Sequence, residues 1–199
     1  MNETGRIEAF SDGVFAIAIT LLILEIKVPL QVGPGNLGFA LLHEWPSFLA
    51  FLASFFTIGV MWMNHHRLFT LIAAADDTLL ALNLVLLLGI TWIPFPTALL
   101  ASHLKITGND RVAALVYSSS FFVIAIVFRV LWRYATRTPG IIPPEKELEA
   151  AHITRQYRWG PMFYLIGIFI ALASGTAVLI WSALLAIYFA LPPRLVTRR

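Results

Sequence analysis

A carboxylate inside an apolar stretch is costly unless something pairs with it, and Asp12 stands in such a stretch. Arg6, Glu8, Phe10 and Ser11 precede it, and the run from Val14 to Leu24 carries no charge. Two chemistries suit a carboxylate so placed. It either attracts a cation, or it ties helices together through hydrogen bonds. A second polar cluster, Met63-Asn64-His65-His66-Arg67, ends another apolar stretch. Adjacent histidines point in different directions on a helix, whereas a metal pair on one helix sits at i and i+4. No fixed metal is therefore expected. His65 or His66 is expected to partner Ser11 and Asp12, with Arg6 and Trp62 close by. The chain has no cysteine, no His-Glu-x-x-His and no paired aspartates within an apolar stretch, so neither an enzyme nor a cofactor is expected.

Helical spacing separates Asp12 from the apolar residues that follow it. At about 100° per residue, Ile17, Leu21, Leu24 and Val28 fall in one narrow stripe, with Thr20 and Gly13 on its flank. Asp12 points away from that stripe. If the stripe faces a symmetry axis, Asp12 faces neighbouring helices and organises the bundle.

The elements that position these residues are membrane helices. Of 199 residues 59% are hydrophobic and only 13% charged, where a soluble domain carries about a quarter charged. The apolar residues come in blocks, and a spanning helix needs roughly 20 of them. The net charge of +3 is small, and the basic residues sit in connections and tails, so no nucleic-acid partner is expected. The first stretch lacks a basic n-region and a small-residue cleavage site, and is expected to be a retained helix.

The spacing predicts an all-α membrane protein of one domain over residues 1–199. Its helices lie over about 7–28, 45–70, 78–101, 111–134, 157–173 and 177–191. A Gly/Pro connection from Val32 to Gly38 follows the first helix, and Pro94 and Pro96 interrupt the third. A polar loop over about 135–156 has room for a short interfacial helix. The block from Tyr157 to Leu191 is too long for one ordinary span, and Ser174-Gly175-Thr176 divides it into two. Six spans put both termini on one side. That side then holds Arg6, Arg67, Arg133, Arg137, Lys146, Arg155, Arg158, Arg194, Arg198 and Arg199, against Lys27, Lys105 and Arg111 on the other. Such a bias predicts cytoplasmic termini. Asn83 reads as an interhelical hydrogen-bond former, and Arg129, one turn from Arg133, as a residue that snorkels to the interface.

Arg6 followed by Phe10-Ser11-Asp12 at the start of the first helix resembles the signature of the transmembrane protein 175 family. These are potassium channels of endosomes and lysosomes and their prokaryotic relatives. The specific part of the likeness is Arg6–Glu25, and the chain length suits a prokaryotic member with one six-helix repeat. The resemblance implies a homotetramer in the prokaryotic plasma membrane, surrounded by lipid, with K⁺ as the permeant ion. It implies a pore lined by the first helix, with a constriction at Ile17, Leu21 and Leu24 and a selectivity layer at Thr20. It also implies that Arg6, Phe10, Ser11 and Asp12 form a structural motif held by polar residues of neighbouring helices such as His65 or His66. The chain contains no Thr-Val-Gly-Tyr-Gly filter, so a carbonyl cage of that type is absent. The competing expectation is a secondary transporter or proton-coupled carrier, for which the chain offers neither a clear repeat nor a midplane charge.

Overall fold

The computed structural model describes residues 3–190 apart from 30–32, 34 and 107. Among the described residues nine α-helices follow one another: α1 (Glu3–Leu21), α2 (Leu37–His43), α3 (Trp45–Phe69), α4 (Asp77–Trp92), α5 (Pro94–His103), α6 (Asn109–Arg137), α7 (Glu147–Tyr157), α8 (Gly160–Ala171) and α9 (Gly175–Ala190). The Gly/Pro connection after the first helix lies partly outside the described residues, and its end winds into α2.

Prolines decide where the third apolar block breaks. Pro94 has no N–H to donate, and its ring crowds the carbonyl one turn back. α4 accordingly ends at Trp92, and α5 begins at Pro94 after a single helical residue, Ile93. The Ile90 carbonyl, which Pro94 cannot serve, accepts instead from the Ile93 N–H at 3.2 Å. The two helices therefore remain one apolar stretch, Asp77–His103.

Among the described residues, four stretches are long and apolar enough to cross a membrane: Thr4–Glu25, Trp45–Phe69, Asp77–His103 and Asn109–Arg137. The expectation of six spans is corrected by this count. The last apolar block does divide near Ser174, but into helices of 12 and 16 residues. At 1.5 Å per residue they rise about 18 and 24 Å, short of the roughly 30 Å hydrocarbon core. The block is long enough in sequence for two spans, but the charged approach from α7 and the turn leave α8 only 12 residues. The pair packs as a hairpin on α6 and α3. Its turn fits closely, because a Cβ on Gly175 would stand 2.8 Å from Leu104 Cδ1. Arg194, Arg198 and Arg199 lie outside the described residues.

α4 starts on a side-chain cap. Asp76 accepts from the Leu79 N–H at 2.8 Å, and its other oxygen accepts from the Tyr134 hydroxyl of α6. These bonds favour the ionised form. The Tyr134 hydroxyl first, then the Leu79 amide, holds the carboxyl below its ordinary 3.8. A depressed folded-state pKa contributes stability that is present above the unfolded value and lost as pH falls through the folded one. Asp76→Ala should lower the melting temperature at neutral pH, and the two melting curves should converge only below pH 3.8. Convergence already at pH 6 would show that the ionised cap contributes nothing.

Candidate functional site: the two faces of the first helix

α1 packs one side against α3 and α4 and leaves the other without a partner in the single chain. Ser11, Phe15, Ala18 and Leu22 are buried on the inner side. On the outer side Ile17 is 59% exposed, Leu21 42% and Leu24 65%; Val28, expected on the same stripe, lies beyond the helical backbone, which ends at Glu25. After Leu21 the backbone tightens into a 3₁₀ turn over Leu22–Glu25. Residues three apart eclipse in a 3₁₀ turn, so Leu24 stands over Leu21. An α-helical step of four from Ile17 to Leu21 thus continues as a 3₁₀ step of three, which keeps the stripe straight. Thr20 is exposed beside it. Its hydroxyl donates to the Ile17 carbonyl at 2.9 Å, leaving the oxygen lone pairs facing outward from the helix backbone.

The inner side holds the polar residues, and they form separate links rather than one cluster. Ser11 donates to the Ile7 carbonyl at 2.8 Å and accepts from Asn83 Nδ2 of α4 at 2.9 Å. Asn83 Oδ1 lies 2.9 Å from His65 Nε2 of α3. Because Oδ1 can only accept, Nε2 of His65 carries a proton and donates it. Nδ1 of the same ring has no hydrogen-bond partner. The imidazole lies between Phe15, at 5.5 Å, and Phe69, stacked at 4.3 Å. Ser11, Asn83 and His65 are all essentially buried, so α1, α3 and α4 meet at a dry three-residue relay.

Asp12 takes a different partner. It accepts from the Trp62 indole N–H at 2.7 Å and is half-buried. Neither α3 histidine reaches Asp12: His65 bonds Asn83, while His66 pairs with Glu8 at the exposed end of α1. The choice between the two histidines therefore resolves by depth: His65 reaches the Ser11 level, and His66 the preceding turn. Arg6 and Phe10 are exposed, and among the described residues Arg6 makes no ion pair. Sequence reasoning overlooks Glu8 and takes Asn83 as an ordinary interhelical bond, although an asparagine inside an apolar helix is itself the signal.

A second buried polar set ties the opposite end. Ser54 of α3 shares hydrogen bonds with Thr97 of α5 at 2.8 Å and Tyr117 of α6 at 3.1 Å. α1 is thus carried on a braced frame, with its apolar stripe turned outward.

Residues 6–94 match the family described as endosomal/lysosomal potassium channel TMEM175. A potassium channel of Streptomyces collinus is 46% identical over 190 residues, covering 95% of this chain and 92% of that one. A potassium channel of Chamaesiphon minutus is 50% identical over 193 residues, covering 96% and 95%. The crystal structure of a lysosomal potassium-selective channel TMEM175 homolog from Chamaesiphon minutus superposes with a TM-score of 0.86 at 50% identity, covering 96% of this chain and 97% of that one.

Proposed function

The chain belongs to the TMEM175 family of potassium channels, and from that premise we propose that four copies close around an axis with α1 turned toward it. It is an integral membrane protein and a potassium-permeable channel, not an enzyme. The observation that carries the tetrameric pore is the unpartnered stripe of Ile17, Leu21 and Leu24, on a helix whose other side is fixed to α3 and α4. One stripe on one chain encloses no path, so the conduit requires copies around an axis. Ile17, Leu21 and Leu24 then form apolar rings that resist wetting. Thr20 supplies the hydroxyl beside those rings, where it replaces part of the hydration shell of K⁺. Asp12 and Ser11 lie off the axis and hold α1 to its neighbours. The basic residues of the α3–α4 and α6–α8 connections and of the C-terminal tail favour a cytoplasmic side for both termini, in a prokaryotic plasma membrane.

The deciding experiment is ion flux into liposomes. Passage should need only a K⁺ gradient; dependence on a second ion or on a proton gradient would establish a carrier instead. Mass measurement in detergent should give four chains, and monomers alone would remove the inter-subunit pore. Thr20→Ala and Thr20→Val should conduct but lose K⁺ preference, read as a reversal-potential shift in mixed K⁺/Na⁺. Unchanged reversal potentials in both would remove Thr20 from the mechanism.

A further inference from the structure

A cavity lies away from the α1 stripe, behind α3, where α6, α7, α8 and α9 converge. Its volume is about 220 Å³. An apolar cavity of about 150 Å³ is already enough to hold benzene, so a hydrocarbon segment fits here. The inner wall is apolar, with Met61, Ile124, Ala125 and Phe189 buried. Its rim carries four arginines, Arg129, Arg133, Arg137 and Arg158, all exposed. The first three stand four residues apart along α6 and share one face. The fourth comes from the α7–α8 connection and is held there, since Arg129 donates to the Arg158 carbonyl at 2.6 Å. Among the described residues no carboxylate forms an ion pair with any of the four. Positive-inside topology accounts for the side of the membrane on which these arginines sit. It does not account for their convergence from two elements on the mouth of one apolar cavity.

We propose that this cavity is a binding site for an anionic phospholipid, with the phosphate clamped by Arg133, Arg137 and Arg158 and an acyl segment between α6, α8 and α9. Charge and depth select this occupant. The arginines fill the last turns of α6, at headgroup level, while the apolar wall runs back along the spanning part of the same helix. Basic pockets between membrane helices at the cytoplasmic side bind acidic headgroups in this way. Trp159, which stacks against Arg158 at 5.5 Å, adds an interfacial aromatic to the rim. The chain's own tail is an unsuitable plug, because residues 191–199 carry three arginines and no acid.

The test is native mass spectrometry of the intact channel with three probes: phosphatidylglycerol, phosphatidylcholine and sn-glycerol 1-phosphate. Phosphatidylglycerol should be retained preferentially. Arg133→Gln with Arg137→Gln should weaken it by about 25-fold, at roughly fivefold per arginine near an anionic group. Ala125→Trp, which fills the cavity and leaves the rim charges, should abolish retention while the arginine-bearing rim stays intact. Every variant is compared at an unchanged chain number and melting temperature. Where Ala125→Trp disturbs either, Ala125→Leu replaces it, with partial loss expected. Equal retention of both lipids, or no loss in the arginine variants, would overturn the clamp. Competition by sn-glycerol 1-phosphate at the same concentration as the lipid would overturn the lipid assignment in favour of a free-anion site. A fall in chain number with both residues would show a second copy as its occupant, which also overturns the proposal.

Discussion

Ile17→Asn is expected to raise single-channel K⁺ conductance about tenfold, the equivalent of some 1.4 kcal/mol off the barrier to permeation. Ile17 is the first of the exposed apolar residues above the Asp12 level, and in a tetramer it contributes four side chains to one ring. A ring of four branched alkyl groups offers water no hydrogen bonds, so the empty state of the ring is favoured and an ion must shed water to pass. Each carboxamide needs to recover only about 0.35 kcal/mol to reach the tenfold figure. The net worth of one ordinary hydrogen bond is about 0.5–1.5 kcal/mol, so the expectation is conservative. Ile17→Val keeps the ring apolar and should change conductance little. Planar-bilayer recording at matched protein density reads both. An Ile17→Asn channel with wild-type conductance would place the narrow point elsewhere on the axis, and Leu21 and Leu24 would be tested next by the same substitution.

How much of this is legible in the sequence depends on the range of the signal. The exposed stripe is a local property, because spacing along one helix fixes which residues share a face. Ile17, Leu21 and Leu24 share it by spacing and are all exposed, whereas the helical backbone ends at Glu25, before Val28. Even so, a constant 100° per residue gives no sign of the 3₁₀ turn over Leu22–Glu25, which itself packs against α3 and α5. The number of spans is not local. Hydropathy measures how many apolar residues a block contains, and the block after Tyr157 contains enough for two. It does not measure where the helices begin and end, and the 12 residues of α8 fall short. The partners of the polar residues are the least legible. Ser11, Asp12, His65 and Asn83 are all visible as polar groups in apolar surroundings, yet only the crossing of α1, α3 and α4 determines that Trp62 meets Asp12 and Asn83 meets His65.

That crossing gives the second large effect. Asn83→Ala should destabilise the folded channel by about 2 kcal/mol, a factor of about 30 in the unfolding equilibrium. The carboxamide joins two helices to a third, donating to Ser11 and accepting from His65. Ser11 keeps the Ile7 carbonyl when Asn83 is lost, so its proton remains satisfied. His65 keeps nothing: Nδ1 already has no partner, and Nε2–H would lose its acceptor in a fully buried setting. Leaving a buried donor unmade costs about 1–3 kcal/mol, and the deleted volume adds to it. Interhelical hydrogen bonds in membranes average only about 0.6 kcal/mol, because the dissociated helices find other partners. The higher figure applies here because Phe15 and Phe69 enclose the imidazole in protein, and no lipid or water reaches it. Asp12→Ala should cost less, about 1 kcal/mol, since Asp12 is half-buried and loses one bond to Trp62. Asn83→Leu restores the volume without the acceptor and should remain destabilised. Adding His65→Leu removes the orphaned donor too, and replacement of both partners by apolar groups is nearly neutral, so the double variant should regain stability over Asn83→Leu alone. Reversible unfolding in detergent, measured on the four proteins of this cycle, gives the coupling directly. An Asn83→Leu channel as stable as the wild type would mean that α1 is held by apolar packing at Phe15 and Leu22, and that the Ser11–Asn83–His65 relay carries no weight in fixing α1.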